Sequence, residues 1–140
     1  MTKKAKKIYI TESDRNRLLE LIDRFRNNIT KDMGNLLQLE QELKRAEIVE
    51  PKKIPKTVVT MNSKVKLLNT DDGSEMVFEV VYPSDADAMN DKISIFAPIG
   101  TAILGYRVGD EVEWQVPAGM RKFKIEELLY QPEADAKDFS

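Results

Sequence analysis

The sequence predicts an α+β protein in which a short antiparallel helical hairpin precedes a β-rich region with a short helix. Three observations support this class. Apolar residues recur at helical spacing in the first third of the chain. Short alternating apolar runs, separated by Pro and Gly, follow from Thr57 onward. Pro51 stands between the two regions and disfavours helical geometry at Glu50, so the helical part ends there.

The first helix is expected to begin after Thr11. The Thr11 side chain is placed to cap backbone N–H groups, and Asp14 occupies the acidic position three residues later. A stripe of apolar residues then follows at spacings of four, three and four, which places its members on one helix face: Leu18, Ile22, Phe25 and Ile29.

The second helix carries a matching stripe formed by Leu36, Leu39, Leu43 and Ala46. Glu40 and Lys44 are predicted to pair on its outer side. Residues 27–30 favour a turn, so the two helices should form an antiparallel hairpin. Gly34 weakens the start of the second helix, and we expect the hairpin tip to be its least ordered part.

The chain as a whole is predicted to have four parts. Residues 1–50 form the helical hairpin, 51–56 a basic linker, 57–131 a β-rich domain and 132–140 a tail. From Gln131 onward the chain is polar, and we expect it to be disordered. Strands, turns and one helical turn are predicted within the domain: strands at 65–67, 76–82, 93–96, 111–116 and 121–130, turns at 71–74, 83–85, 109–110 and 117–119, a loop at 85–92 and the helical turn at 101–104.

Composition excludes several kinds of chemistry. The chain has no histidine and no cysteine, which removes Ser-His and Cys-His nucleophile systems, imidazole or thiolate metal sites, and disulfides. No segment approaches the roughly 20 apolar residues that a membrane span needs, and nothing resembles a signal peptide. We expect a cytoplasmic protein that needs no cofactor or metal.

Charge is unevenly distributed. Residues 1–56 carry 14 Lys and Arg against 9 Asp and Glu, whereas residues 57–140 carry 8 against 15. The acidic second half would repel nucleic acid, so no sequence-specific nucleic-acid binding is expected.

The signature residues of the second half resemble the carboxy-terminal domain of the Gre-type transcription factors. They comprise 62–65, 93–110 and 116–119, with Pro and Gly at matching turns. The resemblance implies an FKBP-like fold, a twisted antiparallel β-sheet with a short helix, preceded by a coiled-coil hairpin. It also implies a partner: bacterial RNA polymerase, gripped on its β′ subunit at the rim of the secondary channel.

The hairpin departs from the Gre pattern. It is shorter, and its tip has no Asp-x-x-Glu motif of the kind that helps Gre factors hold a catalytic metal. The predicted tip residues are mainly cationic: Arg24, Arg26, Lys31 and Asp32. The runs 57–65, 96–100 and 130–133 match the short-armed branch of the family. That branch is similar to Gre factors in binding the polymerase, without stimulating transcript cleavage.

The docking residues are inferred by position. The resemblance places the polymerase contact at Phe96, Ala97, Pro98 and Ile99. Gre factors commonly have a polar or acidic residue and then a serine at the first two of these positions, so a more apolar contact is implied here. Strand alternation favours an exposed Phe96 slightly over a core one.

Other interpretations stay open. Asp23 and Asp32 are displaced acids that a Gre-like cleavage factor could use. An FKBP-like fold also suggests a prolyl isomerase, whose pocket would draw on the domain aromatics Phe78, Tyr82, Phe96, Tyr106 and Trp114. The arginines Arg15, Arg17, Arg24 and Arg26 are expected to form a solvated face rather than a contact with RNA or the channel wall.

Overall fold

The computed structural model describes residues 8–25, 35–116 and 119–132. The α+β class is confirmed. The described residues form three α-helices, α1 (Glu12–Arg24), α2 (Asn35–Arg45) and α3 (Pro98–Ile103). They also form seven strands: β1 (Tyr9–Ile10), β2 (Glu47–Ile48), β3 (Lys64–Asn69), β4 (Glu75–Val81), β5 (Lys92–Ser94), β6 (Glu111–Val116) and β7 (Gly119–Tyr130).

Helix α1 begins as its sequence predicts. The Thr11 hydroxyl oxygen accepts a hydrogen bond from the Asp14 backbone N–H at 3.2 Å. Leu18 and Ile22 are fully buried. The helix ends at Arg24, so Phe25 follows it as the capping residue, and Ile29 lies outside the described residues.

Helix α2 packs against α1 through Leu39 and Leu43, which are fully buried. Ala46 follows the last turn and packs against the core while partly exposed. The predicted Glu40–Lys44 pair is present at 4.0 Å, but Glu40 is buried rather than on the outer side. The hairpin turn with Gly34 and the side chain of Leu36 are not among the described parts.

A two-stranded parallel sheet ties together the two ends of the helical region. Tyr9 in β1 pairs with Glu47 in β2, and Ile10 pairs with Ile48. No pattern in the sequence indicated β2. The chain entering α1 and the chain leaving α2 therefore meet at one place.

The main sheet has the strand order β5-β4-β3-β7-β6. Its pairs are antiparallel except β4 and β5, which run parallel. The expectation of a wholly antiparallel sheet is therefore wrong at this edge, because two short 3₁₀ turns (residues 83–85 and 88–90) carry the chain back before β5 begins.

The segment between the helices and the sheet is anchored by one buried residue, although Pro51–Lys53 and Lys56 are exposed. Ile54 is fully buried. The Gln131 side-chain amide donates hydrogen bonds to the carbonyls of Pro55 at 2.9 Å and Val58 at 2.7 Å. The prediction that disorder begins at Gln131 is wrong, since this buried residue holds the end of β7 against the linker.

One hydrophobic core joins the helices to the sheet. Ile8, Leu18 and Leu39 belong to the same cluster of buried side chains as Leu67 and Val80. Gly105, at φ +84°, lies directly against Ile8. In the described part of the chain, no helix is long and apolar enough to cross a membrane.

Candidate functional site

The predicted docking residues lie where β5 passes into α3. The Ile95 backbone N–H donates to the Val81 carbonyl at 2.8 Å, which fixes this junction to β4. Ala97 precedes α3 in an extended conformation and Pro98 opens the helix. Pro is favoured there, because its missing N–H would have no helical partner in the first turn. The helix thus begins at Pro98, earlier than the predicted turn at 101–104, and the docking residues lie at a strand-to-helix junction.

Local contacts hold this junction rigid. The Phe96 N–H donates to the Ser94 hydroxyl at 3.0 Å, and the Thr101 hydroxyl donates to the Ile95 carbonyl at 2.7 Å. A side chain at Gly100 would place its Cβ 2.8 Å from the Ser94 carbonyl oxygen. Only glycine therefore lets α3 pack this closely on the end of β5.

Phe96 is neither a core residue nor a free anchor. Its ring is partly buried and lies edge-on to the ring of Phe25, with centroids 5.9 Å apart and planes at 85°. Edge-to-face packing is a favourable aromatic geometry. Ile99 is buried, at 9% exposure, so it supports the junction from within. The exposed apolar surface here is shared by Phe96 and the end of α1.

A groove runs beside this junction, between α1 and the turn that follows β4. It has a volume of about 520 Å³. Its walls are formed by Arg17, Glu20, Leu21, Arg24 and Phe25 on the helical side, and by Tyr82, Pro83 and Ser84 on the other.

Tyr82 links the two walls of the groove. Its hydroxyl donates to the Asp14 carboxylate at 2.7 Å, and the Arg17 guanidinium lies 3.6 Å from the centre of its ring. This is cation–π geometry. Arg17 is exposed, as expected for a solvated helix face, and one side of its guanidinium packs over an aromatic ring of the sheet domain.

Comparison with protein families assigns the chain. A model of the GreA/GreB transcription elongation factor carboxy-terminal domain matches residues 54–130, and a model of the Rnk amino terminus matches residues 6–49. The chain belongs to the GreA/GreB family. Its helical segment is of the Rnk type.

Individual relatives agree. The chain is 45% identical over 97 residues to the regulator of nucleoside diphosphate kinase of Escherichia coli, covering 69% of this chain and 71% of that protein. It is 41% identical to transcription elongation factor GreA of Clostridium botulinum, over 74% of this chain but only 64% of that factor.

A solved structure also matches. The GreA/GreB elongation factor of Nitrosomonas europaea is 42% identical, with a TM-score of 0.75, covering 89% of this chain and 100% of the factor. The helical segment and the sheet of this chain together therefore have a counterpart within the GreA/GreB family.

The predicted hairpin tip is only partly described. Arg24 lies in the last turn of α1 and pairs with Glu20 at 3.0 Å, with both side chains exposed. Arg26, Lys31 and Asp32 lie outside the described residues, so the use of Asp23 and Asp32 by a cleavage factor stays a prediction. In the parts of the chain that are described, no group of three or more carboxylates is placed to hold a metal ion.

Most of the aromatic residues considered for an isomerase pocket take part in packing within the described part of the chain. Phe78, Tyr82 and Tyr106 are buried in the core cluster. Phe96 packs on Phe25, and the side chain of Trp114 is not described. Burial raises the pKa of the Tyr106 hydroxyl, and the neighbouring Glu42 and Asp110 carboxylates raise it further. Tyr106 is thus a neutral packing residue near pH 7.

On the sheet, Lys66 forms ion pairs with two of the many carboxylates of the domain. Its ammonium lies 3.4 Å from a Glu75 oxygen and 3.6 Å from a Glu126 oxygen. The charge of Glu75 and its hydrogen bond raise the pKa of Lys66. Part of the acidic excess of residues 57–140 is therefore paired within the protein.

The sequence did not reveal the groove. Phe25 was assigned to the hairpin seam by its spacing, whereas it contacts Phe96, far along the chain. Arg17 and Tyr82 are also far apart in the sequence. Such contacts depend on how the helices sit on the sheet, which periodicity does not encode.

Proposed function

We propose that this protein is a non-catalytic transcription regulator that docks on bacterial RNA polymerase. It binds the β′ subunit at the rim of the secondary channel through the surface at Phe96, Ala97 and Pro98, which the buried Ile99 supports from within. There it competes with Gre factors without stimulating transcript cleavage. Membership in a family of transcription elongation factors supports the choice of partner.

The rigid junction at Phe96–Ile99 is the observation that carries the proposal. Pro98 fixes the start of α3, while hydrogen bonds to Ser94 and Ile95 hold the residues on either side. A preorganised surface loses little conformational freedom on binding, which favours affinity. Partly exposed aromatic side chains are frequent anchors of protein interfaces.

The short arm supports a blocking role. In the described part of the chain, helices α1 and α2 have 13 and 11 residues, which correspond to about 20 Å and 17 Å at 1.5 Å per residue. Three of the four residues assigned to the tip, Arg24, Arg26 and Lys31, are cations. Such an arm can obstruct a channel, but it is poorly suited to bring carboxylates to a catalytic magnesium ion.

The test is competition for core RNA polymerase between the purified chain and a labelled Gre factor. We expect mutual displacement, and Phe96→Asp should weaken binding by about tenfold or more, because a buried interface would have to accept an unpaired carboxylate. Met89→Asp is the matched control: Met89 is 94% exposed, so the same charge enters without disturbing packing.

Thermal unfolding of both variants must accompany the binding data, since Phe96→Asp also removes the contact with Phe25. Phe96→Ala loses the same contact without introducing a charge, so it separates the effect of the carboxylate from the effect of the lost ring. Failure of the wild-type chain to bind at micromolar concentration and modest salt would refute the docking proposal. Stimulated RNA cleavage in a stalled elongation complex would refute the non-catalytic role.

A further inference from the structure

The groove beside Phe96 combines an apolar lining with cationic side chains. Leu21, Phe25 and Pro83 supply the apolar surface, and the buried ring of Tyr82 lies beneath it. The charged groups on the walls are Arg17, Arg24 and Glu20. Glu20 is bound to Arg24, so the lining carries a net positive charge.

Arg17 is the part of the groove that is most available to a partner. Its guanidinium packs on the Tyr82 ring, and among the described residues no carboxylate lies within ion-pair distance of it. Asp14, one turn earlier on α1, accepts the Tyr82 hydroxyl instead. A guanidinium stacked on a ring keeps its N–H donors free at the edge, in a fork that matches a carboxylate.

The groove is continuous with the proposed docking surface. Phe25 belongs to its wall and also touches Phe96. Tyr82 directly follows β4, whose Val81 carbonyl accepts from the Ile95 N–H at the docking junction. A partner that covers Phe96 therefore lies next to the groove.

We propose that the groove is the second half of the docking surface, and that it seats a segment of the polymerase presenting an apolar side chain next to a carboxylate. The apolar side chain packs between Leu21 and Pro83, and the carboxylate pairs with Arg17. This inference rests on the proposed function and adds to it the chemistry of the bound segment and a contribution from α1. The polymerase then contacts the helical arm and the sheet domain together.

Charge changes at Ser84 provide the sharpest test. Ser84 is exposed at the groove wall, so substitutions there leave the core and the Arg17–Tyr82 contact intact. Ser84→Glu should weaken binding to core polymerase by about three- to tenfold through like-charge repulsion, whereas the matched Ser84→Lys should not weaken it. The weakening caused by Ser84→Glu should diminish at high salt, because exposed charges are screened.

Arg17→Glu should weaken binding by about tenfold or more. Lys52→Glu is its control, because Lys52 is exposed in the 3₁₀ turn outside the groove and the net charge changes equally. A photo-reactive benzoylphenylalanine in place of Ser84 should cross-link to a β′ peptide that contains an acidic residue beside an apolar one.

The outcomes separate the two proposals. If the wild-type chain does not bind polymerase, the proposed function fails and the groove proposal falls with it. If the chain binds and responds to Phe96→Asp, but Ser84→Glu and Ser84→Lys bind alike, the groove proposal alone is overturned. A cross-link from position 84 to this chain's own residues 133–140, or to a second copy, also overturns it.

Discussion

At the scale of single residues, Gly105 shows how tightly the helical region is joined to the sheet. It follows α3 in the left-handed region, at φ +84°, where its N–H donates to the Val59 carbonyl at 2.8 Å. A Cβ at this position would overlap the side chain of Ile8. The residue therefore meets two requirements together, a backbone conformation that L side chains avoid and a close contact with the segment before α1.

Gly105→Ala should lower the free energy of unfolding by about 3 kcal/mol or more, since backbone strain and overpacking act together. Gly73→Ala is the matched control. Gly73 has a similar φ of +77°, but in the described part of the chain nothing lies within 4 Å of the position that a Cβ would take there, so only strain of about 1 kcal/mol is expected. Urea unfolding of both variants measures the difference, and equal losses would show that Ile8 does not constrain Gly105.

At the scale of elements, the capped start of helix α1 determines how the helix packs on the sheet. Thr11 caps it, while Leu18 and Ile22 bury one side against the core. Arg17 and Phe25 reach the groove and the docking junction from the same helix. The start of α1 therefore fixes which of its residues face the sheet.

Thr11→Ala should cost about 1 kcal/mol of stability, because it removes the acceptor for the Asp14 N–H. Thr11 is only 6% exposed, so water does not readily replace the lost bond. Thr11→Ser keeps the hydroxyl oxygen and should recover most of the loss. Chemical denaturation compares the three proteins, and the cap has no energetic role if the Ala and Ser variants are equally stable.

Local signals made most elements predictable. The spacing of Leu18, Ile22, Leu39 and Leu43 identified both arm helices, and Asp71–Ser74 identified the turn between β3 and β4. Contacts between distant parts of the chain were not predictable in this way. The β1–β2 pair, the parallel approach of β5 to β4 and the burial of Gln131 all depend on tertiary packing.

The candidate site was likewise predictable only in part. Resemblance to Gre factors pointed to Phe96–Ile99, and the structure places these residues at one junction. The pairing of Phe96 with Phe25, and of Arg17 with Tyr82, carries no local pattern. Arg17 is exposed, as arginines on a short helix usually are, but its stacking on Tyr82 was not predictable from composition.

At the scale of the whole molecule, the arm and the sheet share one hydrophobic core. Leu39 on α2 is fully buried in the same cluster as strand residues such as Leu67 and Val80. A residue that joins two elements through a common core stabilises both, and a domain of this size commonly unfolds in one cooperative step. The arm should therefore stay fixed on the sheet under native conditions, which a docking surface built from both parts requires.

Leu39→Ala should lower the free energy of unfolding by about 2–4 kcal/mol, because it leaves a cavity between the arm and the sheet. Leu37→Ala, on the same helix, is the matched control: Leu37 is 46% exposed, so its loss should stay within about 0.5 kcal/mol. Amide hydrogen exchange gives the decisive readout, since Leu39→Ala should reduce protection in β3 and β4 as much as in α2. Lost protection confined to α1 and α2 would mean that the arm unfolds on its own. Docking would then have to order the arm as well as bind it. The docking surface includes Arg17 and Phe25, so the apparent affinity for polymerase would be the intrinsic affinity multiplied by the fraction of molecules in which the arm is folded.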